Sequence, residues 1–112
     1  MTIVKRTEVV PDVIAKGHSR YMAYTQNLMV TVGEFTGGAS AEQDPLHSHP
    51  HEQVSYLAAG EAILFIGYNK VSLKEGDLFA VPPNVPHTVH PLTPYVRIID
   101  AFTPIRQEFL HE

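Results

Sequence analysis

Apolar and polar residues alternate with a period of two along much of this chain, and glycine or proline interrupts the alternation every few residues. Leu28, Val30 and Val32 alternate with Met29, Thr31 and Gly33 up to Phe35, which predicts a strand closed by Gly37-Gly38. Val54 to Ala59 and Ala62 to Ile66 form a second pair, broken at Gly60-Glu61. Gly67-Tyr68-Asn69 predicts a hairpin turn before Val71 and Leu73. Lys74-Glu75-Gly76-Asp77 is a further turn signal, and Leu78 to Val81 resumes an apolar strand. The proline-rich run Pro82-Pro83-Asn84-Val85-Pro86 cannot pair in a central ladder, so it is a loop leading to a strand that begins at His87. Tyr95 to Phe102 is the last strong strand. Thr103-Pro104 then reads as an N-cap followed by proline at the first helical position, predicting one or two helical turns over Pro104 to Leu110.

Many short strands with regular turn signals imply an all-β chain, a sandwich or small barrel. At 112 residues the length suits one domain over 1–112. Nine prolines and seven glycines leave no room for a sizeable amphipathic helix, and there is no internal repeat or linker. No apolar run approaches the roughly 20 residues of a spanning helix, so no membrane partner is expected. The opening MTIVKRTEVV lacks an apolar h-region, which makes the cytoplasm the expected location. With no cysteine, disulfides, thiolate nucleophiles, cysteine zinc sites and iron–sulfur clusters are excluded. Eight Lys+Arg against 12 Asp+Glu, with the basic residues scattered, argue against a nucleic-acid partner.

Histidine is in excess, with seven present, and His47, His49 and His51 alternate. In a strand alternate residues face one way, so His47 and His49 present two imidazoles to one interior point, and Gln53 keeps the same parity. Neutral imidazole suits divalent Zn, Ni, Cu and Fe; an amide oxygen is a weaker, neutral ligand that leaves the ion's charge largely uncompensated. His87 opens a later strand that a β-barrel could bring to the same point, making a set of three histidines and one glutamine. His51 shares the parity, but Pro50 breaks the strand before it, which places His51 behind the ligands or on the surface. Glu52 has opposite parity and is expected outside the pocket. His18, His90 and His111 have no partner pattern, and ordinary structural roles are expected for them.

The segment His47-Ser48-His49-Pro50-His51-Glu52-Gln53, followed after six residues by Gly60, resembles the first cupin motif, H-x-H-x3-E-x6-G, with Gln53 in the usual Glu place. The second motif, G-x5-P-x-G-x2-H, is matched by Gly76, Pro82, Asn84 and His87, with Asn84 replacing Gly. The resemblance implies a double-stranded β-helix, a jelly-roll barrel, holding one divalent transition metal ion in its mouth at His47, His49, Gln53 and His87. Ni, Zn, Fe, Mn and Co are all compatible with that shell. Ala41 stands where the first motif usually begins with Gly, the loop Ala39 to Leu46 is long, and Pro91 stands where the second motif often ends in Asn. None of these departures changes a ligand.

A second likeness covers most of the chain. The strings HSHPHEQ, VPPNVPH and Asp100-Ala101-Phe102-Thr103-Pro104-Ile105-Arg106-Gln107-Glu108-Phe109-Leu110 resemble the small single-domain cupins of the KdgF family. That family opens the ring of 4,5-unsaturated uronic acids released by pectin and alginate lyases. The resemblance implies that Asp100, Phe102 and Arg106 belong to the pocket and that the substrate is a small sugar acid. The chemistry suits the residue types: opening removes the anomeric hydroxyl proton, releases the ring oxygen as an enolate and protonates C4. A cation chelated by the enolate and carboxylate oxygens would stabilise the charge. Asp100 could shuttle the protons, and Arg106 could pair with the carboxylate. Asp100 and Phe102 share a strand face, opposite to Ile99 and Ala101. Without the likeness, Asp100 also reads as an edge-strand acid, Phe102 as core and Arg106 as a solvated charge. Two other functions fit a cupin, an Fe- or Cu-dependent dioxygenase and a non-catalytic sugar-binding module. Small cupins commonly dimerise through sheet edges, so a homodimer is expected, with Thr2 to Val10 available for pairing.

Overall fold

The computed structural model of the chain describes residues 1–38 and 43–110. Among them run strands β1 (Asp12–Ala15), β2 (His18–Tyr24), β3 (Met29–Thr36), β4 (Glu52–Ala59), β5 (Glu61–Ile66), β6 (Asn69–Lys74), β7 (Leu78–Val81), β8 (His87–Pro91) and β9 (Tyr95–Thr103), then a 3-10 turn at Gln107–Phe109. They form a six-stranded sheet in the order β1-β2-β3-β9-β4-β7 and a three-stranded sheet in the order β6-β5-β8. Every named pairing is antiparallel. The architecture is the expected all-β jelly roll. Leu57, Val96 and Ile98 of the larger sheet meet Ala62, Leu64 and Leu73 of the smaller one to form the buried core.

Register decides which side chains share the interior. Met22, Thr31, Asp100 and Ser55 stand abreast across β2, β3, β9 and β4, and Tyr24, Met29, Phe102 and Gln53 form the next inward row. The alternate rows face outward: Val30, Ala101, Val54 and Ala80, then Val32, Ile99, Tyr56 and Leu78. Asp100 and Phe102 therefore do share a face. Gly60 ends β4 with φ +84°, and a Cβ there would run into the Tyr95 carbonyl oxygen, so the turn into β5 needs glycine.

Two expectations change. The alternation read from Leu28 onward missed β1 and β2. The first inward positions of β2 hold His18 and Arg20, which line a cavity rather than the core, so the apolar pattern on its inward face is interrupted. The C-terminal helix shrinks to Gln107–Phe109: β9 runs through Thr103, whose hydroxyl donates to the Asn27 carbonyl at 2.8 Å instead of capping. Thr2 to Val10, expected to be available for pairing with a second copy, contributes no strand to this sheet. Arg6 instead ties this segment to its own sheet through Glu34 at 3.1 Å, with its guanidinium 5.5 Å from the Tyr21 ring centre. The expectations for Ala41, for residues 39–42 of the long loop and for His111 lie outside the described residues. No helix is long and apolar enough to cross a membrane among the described residues.

Candidate metal centre

The histidines converge by a route different from the one parity suggested. Residues 47–51 are not a regular strand; β4 begins only at Glu52. His47 instead forms an isolated antiparallel bridge with His87, the His47 N–H donating to the His87 carbonyl at 3.0 Å and the His87 N–H to the His47 carbonyl at 2.9 Å. The Asn84 N–H donates to the His49 carbonyl at 2.8 Å and fastens the proline loop to the same segment. Asn84 has φ +65°, a left-handed backbone that suits Gly and is tolerated best by Asn among other residues, so its replacement of the motif glycine keeps the turn. Together these bonds bring ligating nitrogens of His47, His49 and His87 within 4.8 Å of one another.

The hydrogen bonds behind the imidazoles set their tautomers. His49 Nδ1 donates to the His51 carbonyl at 3.1 Å, and His87 Nδ1 donates to the Val85 carbonyl at 2.8 Å. A neutral imidazole has one N–H, so both Nε2 atoms carry lone pairs. His87 Nε2 is buried without a partner, and His49 Nε2 faces the Gln53 amide oxygen at 2.9 Å, acceptor against acceptor. Such a set fits a cation. Burial lowers the pKa of all three histidines, and neighbouring cationic groups reinforce the shift. His47, although its outer edge meets solvent, falls to about 4 through desolvation, then His87, Arg106 and His49. The imidazoles are thus neutral, as metal ligands must be. Gln53 Nε2 donates to Ser55 Oγ at 2.9 Å and to Asp100 Oδ1 at 3.3 Å, which orients the amide oxygen toward His49.

Asp100 lies directly behind this amide, and the Ser55 hydroxyl also donates to its Oδ1. Desolvation raises the Asp100 pKa, while the bonds from Ser55 and Gln53 and the charges of Arg106 and Arg20 oppose the rise. Phe102 is buried with its ring edge-on to His49, centroids 5.7 Å apart. Arg106 lies 5.2 Å from the centre of Phe102 and pairs with Glu108 at 3.1 Å. His47, Gln53, His87, Asp100, Phe102 and Arg106 all border one cavity of about 270 Å³, with His49 behind its wall. Glu52 and His90 do not border it, as expected, and His51 lies beside His49 with ring centres 5.5 Å apart and does not border the cavity, as the break at Pro50 expects. His18 departs from expectation: it borders the cavity and stacks on Phe35 with ring centres 4.1 Å apart. Arg20, Ser55, Thr31 and Phe109 were not singled out as site residues either. Ser55 was within reach of the period-2 rule, two residues beyond Gln53, and Arg20 lies two beyond His18.

Residues 33–95 match the family described as Cupin domain. Over 92 residues, 81% of each chain, the sequence is 33% identical to the Pectin degradation protein KdgF of Dickeya dadantii. The chain belongs to the KdgF family of cupins. Among solved structures, this KdgF-family cupin superposes on KdgF from Halomonas sp. with a TM-score of 0.87 and 28% identity, covering 98% of this chain and 99% of that one. An RmlC-like cupin from Shewanella frigidimarina gives the same TM-score, 0.87, at 32% identity, covering 98% of this chain and 96% of the other.

Proposed function

We propose that this KdgF-family cupin opens the ring of 4,5-unsaturated uronic acids to 5-keto-4-deoxyuronates in the breakdown of pectin or alginate. The observation that carries this reading is a neutral three-histidine, one-glutamine set hydrogen-bonded through Gln53 to a half-buried acid, Asp100, in one cavity. The Dickeya relative's role in pectin degradation agrees with it. A divalent Ni, Zn, Fe, Mn or Co ion held by His47, His49, Gln53 and His87 would supply Lewis-acid stabilisation of the negative charge on the ring oxygen and adjacent carboxylate. Asp100 takes the anomeric hydroxyl proton as the C1–O5 bond breaks and delivers a proton to C4. One proton leaves oxygen and one reaches carbon, so the reaction is an isomerisation and needs no oxidant. The raised pKa of Asp100 brings the acid closer to neutrality, where a shuttle works best.

Phe102 shields the inner side of the cavity from water and carries Arg106 above its ring, from which the guanidinium pairs with the uronate carboxylate. The cavity, about 270 Å³, lies just below the range for ligand pockets, which begins at about 300 Å³, and suits a monosaccharide rather than a polymer. The chain acts as one cytoplasmic domain and assembles as a homodimer, for which the outward Val30, Val54, Tyr56 and Leu78 of the larger sheet supply an exposed apolar face. The test is loss of the unsaturated-bond absorbance of 4,5-unsaturated galacturonate by metal-loaded protein. His47→Ala should abolish it; wild-type rates in that variant would overturn the site.

A further inference from the structure

Arg20 reaches the cavity from β2, a strand that contributes no metal ligand. Its guanidinium carbon lies 3.6 Å from the ring centre of Phe109, and the guanidinium carbon of Arg106 lies 4.2 Å from the same centre. One aromatic ring on the C-terminal turn thus gathers two cations at the wall of one pocket. Aromatic stacking holds their planes but offsets little of the repulsion between them. Arg106 has a carboxylate partner in Glu108. Arg20 makes no hydrogen bond or ion pair among the described residues, and its Nε is buried without an acceptor. Of the acids that act on Arg20, Asp100 accepts from Ser55 and Gln53, Glu108 pairs with Arg106, and Asp12, its direct cross-strand neighbour on β1, opposes the depression of its pKa. Burial and then the Arg106 charge depress the Arg20 pKa against the opposing charges of Asp12, Asp100 and Glu108, and an anion beside the guanidinium would offset that depression.

We infer that Arg20 is a second carboxylate-recognition residue, and that with Arg106 it forms a two-guanidinium clamp around the acid group of a sugar-acid ligand. The inference rests on the ring-opening reading for the identity of the substrate, but not for the need for an anion. A planar guanidinium presents paired N–H donors to both carboxylate oxygens, which a lysine ammonium does not, so Arg20→Lys should restore only part of the function.

The experiment uses the metal-loaded full chain as wild type, Arg20→Gln and Arg20→Lys. Steady-state kinetics with 4,5-unsaturated galacturonate are combined with NMR titrations of D-galacturonate and D-galactose, which differ in the carboxylate. Arg20→Gln should weaken galacturonate binding and raise KM by about 10- to 100-fold, the scale of hydrogen bonds to a charged group. Binding of galactose and kcat should change less than about threefold, the pattern of lost ground-state binding. Arg20→Lys should fall between. Unchanged galacturonate binding in Arg20→Gln, or equal weakening for both sugars, would overturn the assignment. If the wild type shows no turnover yet Arg20→Gln selectively loses galacturonate, the ring-opening reading fails and the clamp stands. If the wild type turns over and Arg20→Gln keeps its KM, the clamp alone fails.

Discussion

Ser55 joins the Gln53 amide to the half-buried Asp100, so its removal should be felt at both. The side chain is 1% exposed; its hydroxyl donates to Asp100 and accepts from Gln53 Nε2 at 2.9 Å. Ser55→Ala deletes both bonds and little volume. Asp100 then keeps only the 3.3 Å bond from Gln53, and one N–H of that amide loses its better acceptor. Loss of a buried bond to a charged group costs about 1–3 kcal/mol. For a domain of this size each kcal/mol is worth roughly 4–8 °C, so Tm of the metal-stripped protein should fall by on the order of 10 °C. Because the Ser55 bond lowers the Asp100 pKa, its loss lets that pKa rise further. The freed amide can also rotate its oxygen away from His49, and metal affinity should drop about 10- to 100-fold, as for other groups that orient a ligand. Thermal melts of stripped protein followed by circular dichroism measure the first effect, and competition against a chromophoric chelator measures the second. A variant with wild-type Tm and wild-type metal affinity would refute the claim that Ser55 holds Gln53 in place.

Asp100→Asn keeps an acceptor oxygen for Ser55 and Gln53 but cannot carry a proton: kcat should fall about 10²- to 10⁴-fold with little change in KM, and a loss of under tenfold would contradict the shuttle. Because burial raises the Asp100 pKa, its ionisation costs stability as pH rises through that value, so Asp100→Asn should gain more relative to wild type at about pH 8 than at about pH 5 in urea melts. His18 is held below its usual 6.5 first by burial and then by Arg20, so the unfolded chain binds the proton more readily. Stability of the metal-stripped protein should therefore decline as pH falls below about 6.5, less steeply in His18→Gln, and an NMR titration placing His18 at or above that value would exclude the effect. Light scattering should report twice the chain mass, and Leu78→Glu on the exposed apolar face should halve it; a monomeric wild type would exclude the homodimer.

The spacing of His47, His49 and Gln53 is a local property of the chain and suggested a metal set, but it was the resemblance to the two cupin motifs that gave this set its weight and tied His87 to it. How they meet was not legible. The His47–His87 bridge and the Asn84–His49 bond are long-range contacts, and the expected strand through His47 and His49 does not form. The period-2 rule found the strands from Met29 to Phe35 and from Tyr95 to Phe102, although the apolar row of Val30 and Val32 on the first faces outward, and it failed at β2, where His18 and Arg20 face a cavity. For the same reason Arg20 escaped notice: its importance comes from standing beside Phe109 and Arg106, some 90 residues away in sequence, as no local pattern reports. The one or two helical turns expected over Pro104 to Leu110 shorten to Gln107–Phe109 because Thr103 spends its hydroxyl on Asn27, a contact between distant segments.

The central claim is that a metal held by His47, His49, Gln53 and His87 works with Asp100 to isomerise an unsaturated uronate. Metal-loaded protein, metal-stripped protein and the Asp100→Asn variant should each be mixed with 4,5-unsaturated galacturonate and followed by proton NMR in a sealed tube with dissolved oxygen monitored. The loaded wild type should replace the C4 vinyl signal with those of the open-chain 5-keto product while oxygen stays constant, and the other two samples should be slow. Persistence of the vinyl signal at the uncatalysed rate, or oxygen uptake in step with its loss, would contradict the account.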